Sequence, residues 1–128
     1  MTILAGTSKG VYRLDGGVCT HVLECRGVRE LVDIEGVFFA GAGAGLFRSE
    51  DDGQTWDEVG LSDYSVWQVR PAEEGTLYAA TQPAALFRSR DGGRAWSEVT
   101  GFRAHPSAAE WCVPVKPPQP GRARALVV

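Results

Sequence analysis

The sequence predicts an all-β protein, built from β-propeller blades that are each a four-stranded antiparallel sheet. Three observations predict it. One eight-residue pattern, Ser-x-Asp-x-Gly-x-(Thr/Ala)-Trp, occurs twice, forty residues apart, as Ser49-Glu-Asp-Asp-Gly-Gln-Thr-Trp56 and Ser89-Arg-Asp-Gly-Gly-Arg-Ala-Trp96. Each copy follows the same lead-in, Leu46-Phe47-Arg48 or Leu86-Phe87-Arg88. A period near 40 residues is that of propeller blades. Finally, helix signals are scarce, whereas short runs rich in β-branched and aromatic residues recur between Gly, Pro, Asp and Ser. The 16 glycines fit a hairpin-rich chain, because tight turns need positive φ.

Calling the four strand types A to D, the elements follow in order. Ile3-Leu-Ala-Gly-Thr, Phe39-Ala-Gly-Ala and Leu77-Tyr-Ala-Ala-Thr align as B strands. Gly10-Val-Tyr-Arg, Gly45-Leu-Phe-Arg and Ala85-Leu-Phe-Arg align as C strands. Val18-Cys-Thr-His-Val-Leu, Trp56-Asp-Glu-Val and Trp96-Ser-Glu-Val follow as D strands, and Val28-Arg-Glu-Leu-Val and Val66-Trp-Gln-Val precede two units as A strands. The segment Arg124-Ala-Leu-Val-Val128 reads as a further A strand. The 128 residues therefore divide into blade 1 (about 1–25, lacking its first strand), blade 2 (about 27–61), blade 3 (about 64–101), a loop (101–121) and the start of a next blade (122–128). About three blades are present. Closed propellers have at least four, so the chain is expected to be part of a propeller of six or seven blades, or half of a dimeric ring. A third route is a strained three-bladed body closed by its own terminal strand.

The repeated octapeptides are similar to the Asp-box, also called the bacterial neuraminidase repeat. The frame Leu-Phe-Arg-Ser-x-Asp-x-Gly-x-x-Trp resembles Asp-box propellers of the sialidase-like or glycosyl-hydrolase-like kind. The stretch from Gly101 to Leu126, with Glu110-Trp-Cys-Val-Pro-Val115, resembles an uncharacterised branch of that group. The resemblance spans essentially the whole chain and implies fold far more strongly than chemistry. The region Asp15-Gly16-Gly17 departs from the motif, with Leu14 in the Ser position and no Trp after it. Physically, the carboxylates of Asp51 and Asp91 and the hydroxyls of Ser49 and Ser89 can staple the turn backbone. Gly53 and Gly93 supply positive φ, and Trp56 and Trp96 can fold beneath the turn. These eight residues are read as structural.

In an antiparallel meander the C–D and A–B turns share one face of the array, and the B–C and D–A loops share the other. A ligand site is expected on the second face, where loops surround a central channel. The B–C loops there (Thr7–Lys9, Ala42–Ala44, Gln82–Ala84) are small. The longest connection, 101–121, carries His105, Glu110 and Trp111 and is expected to be an ordered flap over the channel mouth. Arg29, Trp67 and Arg124 hold matching places in three A segments. They could ring the channel entrance and grip a carboxylate or a sugar ring, or they could cap the core and pair with Glu30, Glu110 or carbonyl groups. The candidate ligand-binding set is thus Arg29, Trp67, Arg124, Glu110, Trp111 and His105. No catalytic residue is assigned.

The expected function is a non-catalytic binding or interaction scaffold, for an unknown protein, small molecule or carbohydrate. A sialidase-like hydrolase fragment is the alternative that the resemblance implies. Such enzymes need an arginine cluster, a Tyr–Glu nucleophile pair and an acid/base Asp. The Arg-Ile-Pro motif is absent from the matching region Val11-Tyr-Arg-Leu. A protein-assembly factor is the second alternative. Net charge is −3, which argues against nucleic acid or anionic membrane as partner, although eleven of the thirteen basic residues are Arg. No apolar run reaches membrane-spanning length and no secretory leader is read, so a cytoplasmic location is expected. The three cysteines (Cys19, Cys25, Cys112) are expected to be reduced thiols, and neither metal nor other cofactor is implied. Open sheet edges invite self-association.

Overall fold

The computed structural model of the chain describes residues 1–114 and 116–128. Val115, the last residue of the apolar stretch in the long loop, lies outside the described residues. Strands β1 (Thr2–Thr7), β2 (Gly10–Asp15) and β3 (Val18–Glu24) form a three-stranded antiparallel sheet in chain order. Strands β4 (Val28–Ile34), β5 (Val37–Ala42), β6 (Leu46–Ser49) and β7 (Asp57–Gly60) form a four-stranded one. Strands β8 (Ser65–Pro71), β9 (Leu77–Gln82), β10 (Leu86–Ser89) and β11 (Ser97–Glu98) form another. The chain is all-β, and none of the sheets closes on itself.

The sheets stack in chain order. Strand β4 packs against β1 on one side and β8 on the other, and β8 also covers β5. Glycines make this approach possible. A Cβ on Gly6 would lie 2.5 Å from Cγ1 of Val28, and one on Gly41 would lie 2.6 Å from the Val66 carbonyl oxygen. Phe39, Leu46, Val66, Val69, Leu77 and Phe87 fill the space between the second and third sheets. The first sheet is far more open: Ile3 is 48% exposed and Val18 66%.

The two Ser-x-Asp-x-Gly hairpins share one construction. Ser49 Oγ donates to Asp51 Oδ1 (2.8 Å) and accepts the Gly53 N–H (3.0 Å). Ser89 does the same with Asp91 (2.7 Å) and Gly93 (2.9 Å). Asp51 accepts the backbone N–H and the hydroxyl of Thr55, while Asp91 accepts the N–H groups of Arg94 and Ala95. Trp56 and Trp96 each donate their indole N–H to the carbonyl of the turn glycine, at 3.0 Å. These bonds favour the ionised carboxylate. Thr55 above all pulls the Asp51 pKa down to about 2, and Asp91 is shifted the same way, chiefly by the Ala95 N–H.

The turn glycines do more than adopt positive φ. A Cβ on Gly53 would strike Leu4 of β1 at 2.7 Å, and one on Gly93 would strike Phe39 of β5 at 2.4 Å. Each hairpin is therefore seated on the preceding sheet, on β1 for Gly53 and on β5 for Gly93, with an arginine of that same preceding sheet holding it. Arg13 Nε donates to the Asp52 carbonyl (3.2 Å), and Arg48 Nε to the Gly92 carbonyl (3.0 Å). The β2–β3 turn lacks this construction. Gly16 and Gly17 (φ +55° and +85°) alone make it, in the manner of a two-residue type I′ turn.

Two expectations about strands need correction. Residues 121–128 adopt no strand, and no ladder among the described residues includes them. The fourth strand of the third sheet shrinks from 96–100 to Ser97–Glu98, since the chain turns into the short helix α1 (Thr100–Arg103). The long loop continues through a 3-10 turn (Ala108–Glu110) to a small ribbon of β12 (Cys112–Val113) and β13 (Gln119–Pro120), tied to the third sheet by Gln82 Nε2 donating to the Pro120 carbonyl at 2.8 Å.

Gly41→Ala is expected to lower stability by about 2 kcal/mol or more, since the new methyl meets backbone, whereas Gly101→Ala meets nothing within 4 Å and should change it by less than about 0.5 kcal/mol; urea denaturation measures both. With a folded pKa of about 2 against an ordinary 3.8, ionised Asp51 contributes stability that is present above pH 3.8 and lost as pH falls toward 2. Asp51→Asn should flatten that part of the acid-unfolding curve, and a curve of unchanged shape would refute the assignment.

Candidate functional site

A cluster of arginines gathers where β4, β8 and residues 122–124 meet. Strands β4 and β8 each carry a bulge at the same place: Val28 pairs with Ala42 and Glu30 with Gly41, while Val66 pairs with Thr81 and Gln68 with Ala80. Arg29 and Trp67 are the residues left over. A bulge re-aims the side chain it expels, and here it directs both to one cluster. The Arg29 guanidinium lies 4.9 Å from the Trp67 ring centre, that of Arg122 lies 4.8 Å away, and that of Arg124 lies 5.9 Å away.

Three guanidinium groups thus share one indole. Each contact is worth about 0.5–1 kcal/mol at an exposed site, and the like charges oppose one another. Among the described residues none of the three makes an ion pair. The Trp67 indole N–H is itself buried and has no acceptor among the described residues, a condition that costs about 1–3 kcal/mol. The cluster has an excess of donors and of positive charge, which suits an anionic group with several acceptor oxygens, a carboxylate above all.

The cluster is held from behind by a repeated bracket. Glu30 Oε1 accepts the Val69 N–H at 2.8 Å, and Gln68 Oε1 accepts the Leu126 N–H at 2.9 Å. Both are the third residue of a first-strand segment reaching the fourth residue of the next one. The second bracket hangs residues 122–128 on the third sheet, helped by the Ala123 N–H donating to the Thr81 carbonyl at 2.8 Å. Glu30 also receives Arg70 Nη1 at 2.9 and 3.0 Å. The expected pairing of Glu30 with the arginine cluster is therefore corrected: Arg70 takes that carboxylate.

The remaining candidates stand apart, on the long loop. Trp111 packs against Phe102 (4.9 Å between ring centres) and His105 (6.3 Å). His105 Nδ1 accepts the Ser107 N–H (3.2 Å) and faces the Ser107 hydroxyl (2.8 Å), so the imidazole closes a local turn. Glu110 is exposed and makes no ion pair among the described residues. Trp111 also borders an open groove of about 570 Å³, shared with Pro83, Arg103 and Gly121. There Arg103 holds Glu98 through two bonds of 2.6 and 2.7 Å, which lowers the Glu98 pKa. No hydrogen bond, ion pair or ring contact joins the side chains of this group to those of Arg29, Trp67 and Arg124 among the described residues. The backbone brings the groups close, since the Trp111 carbonyl accepts the Gly121 N–H at 2.9 Å, one residue before Arg122.

Sequence reasoning placed Arg29, Trp67 and Arg124 at equivalent positions and missed Arg122. It also missed the brackets, although Glu30 and Gln68 at the third place of matching segments were a visible signal. The three cysteines are free, no helix is long and apolar enough to cross a membrane, and no group of three metal-ligating side chains occurs among the described residues. No protein-family model and no curated protein matches the chain.

Glu30→Leu is expected to cost about 2 kcal/mol, because it orphans the buried Val69 N–H as well as Arg70, whereas Glu30→Gln keeps an acceptor and should cost less. Equal losses in urea denaturation would show that the bracket to Val69 contributes nothing.

Proposed function

We propose that the chain is an Asp-box β-propeller domain that acts as a non-catalytic binding scaffold and takes a carboxylate-bearing ligand at Trp67. The observation that carries this reading is the gathering of Arg29, Arg122 and Arg124 on one indole with no acidic partner among the described residues. The propeller reading is supported by successive antiparallel meanders whose first strands lie side by side, and by two hairpins built on the same serine–aspartate–glycine scheme.

Catalysis receives less support. The carboxylates that shift, Asp51, Asp91 and Glu98, all shift downward, the direction of stapled turns and ion pairs and not that of a proton donor poised near neutrality. Tyr12 stacks on His21 and Tyr64 meets Phe87 edge to face, so both rings serve packing. A sialidase-like hydrolase and a protein-assembly factor remain the competing functions.

Titration with glucuronate or N-acetylneuraminate, followed by tryptophan fluorescence, tests the proposal. A saturable change is expected that vanishes in Trp67→Phe and weakens about tenfold or more in Arg29→Gln or Arg124→Gln, since a charge-assisted hydrogen bond is worth about 1.5–3 kcal/mol. No response to either acid would reject the carboxylate site, and turnover of a fluorogenic sialoside would replace the scaffold with an enzyme.

A further inference from the structure

The cluster at Trp67 carries more positive charge than one acid group can match. Among the described residues none of the guanidinium groups of Arg29, Arg122 and Arg124 donates a hydrogen bond or meets a carboxylate. Each guanidinium brings five N–H donors and no acceptor, about fifteen donors in all, whereas a carboxylate offers about four lone-pair sites. A single carboxylate therefore leaves most of the donors unmatched and two of the three charges uncompensated.

The surrounding residues do not reduce that excess. Glu30 follows Arg29 in β4, but its carboxylate already takes the Val69 N–H at 2.8 Å and Arg70 Nη1 at 2.9 and 3.0 Å. Gln68 follows Trp67 in β8 and accepts the Leu126 N–H without bringing charge. Elsewhere an arginine of the second or first sheet meets an acid two residues on, Arg48 with Glu50 and Arg13 with Asp15. In the cluster the residue two places on is Leu31 after Arg29, Arg124 after Arg122 and Leu126 after Arg124. The local device that neutralises the structural arginines is missing at all three positions.

The three side chains also differ in their access to water. Arg29 and Arg124 are exposed, and Arg122 is half-buried. A charge partly withdrawn from water gains most from a counterion. All three guanidinium carbons lie within 5.9 Å of one ring centre, so no two are farther apart than twice that distance. Two acid groups on one short molecule reach across such a gap. They also cost the immobilisation of one ligand, where two separate monoacids would cost that of two.

We propose that the ligand at Trp67 is a small dicarboxylic acid: Arg29 and Arg124 take one carboxylate, and Arg122 takes the other. This ligand class rests on the carboxylate-binding reading above and adds to it the charge of the ligand and the residue that reads the second acid group. Each guanidinium fork matches a carboxylate in its plane, so the second pairing selects for an ionised acid over an amide of the same shape.

Isothermal titration calorimetry on the whole chain, at neutral pH and constant ionic strength, compares succinate with succinamate, its half-amide of the same shape, and with glucuronate. Constant salt keeps screening equal. Succinate is expected to bind about tenfold more tightly than succinamate or better, the ratio that one charge-assisted hydrogen bond supplies. Arg122→Gln should bring that ratio down to about threefold or less. Equal affinities of succinate and succinamate for the unmodified chain overturn the proposal, whatever the variant does. A ratio that survives Arg122→Gln overturns it too, as does binding of glucuronate without binding of succinate. The two readings fail separately: glucuronate bound, with succinate and succinamate equal, rejects the dicarboxylate alone, and no binding of any of the three acids rejects the carboxylate site itself.

Discussion

The structure depends on how closely one sheet can approach the next. At Gly41 the Val66 carbonyl occupies the space of a side chain, and at Gly6 the Val28 side chain does so. Each approach lays the first strand of one sheet across its predecessor, β4 on β1 and β8 on β5. The hairpin at the far side is then seated by Gly53 or Gly93 and held by Arg13 or Arg48. Stacking order, strand alignment and the convergence of the first strands all follow from these contacts. A side chain at any of the glycines would force the sheets apart and scatter the residues that converge on Trp67.

Eight of the eleven arginines fall into two populations with different physics. Arg13, Arg48, Arg70, Arg94 and Arg103 each meet a carboxylate at 2.6–3.2 Å, and three of these pairs join residues about forty positions apart. They tie unit to unit. Arg29, Arg122 and Arg124 meet an aromatic face, so their charges stay uncompensated within the described residues. A chain with net charge −3 thereby concentrates positive charge at one point. Such an arrangement is costly for the free molecule and favourable once an anion arrives.

The brackets from Glu30 and Gln68 connect these two themes. A carboxylate holds β8 on β4 and an amide holds residues 122–128 on β8, which places Arg29, Trp67 and Arg124 side by side. The same device that orders the fold therefore aims the site. It also explains why residues 122–128 carry Arg122 and Arg124 to Trp67 without belonging to a sheet: two backbone N–H groups, at Ala123 and Leu126, are captured by the third sheet.

The antiparallel meanders were legible in the sequence because they depend on local chemistry. Hairpins at Gly16–Gly17 and around Asp51 and Asp91 use residues whose turn preferences act within a few positions, and alternation between turns marks the strands. Matching Arg29 to Trp67 was legible too, since both follow a valine at the head of equivalent segments. The bulges that expel them were not, because a bulge is a mismatch between two strands and neither strand reveals it alone. Arg122 was missed for a related reason: it precedes the segment 124–128 that reads as a strand, and its route to Trp67 depends on the captures at Thr81 and Gln68. Local turn and strand preferences, carried by neighbouring residues, were determined by the sequence itself. Which charges meet, and which remain without a counterion, was decided only when glycine gaps let one sheet settle on another.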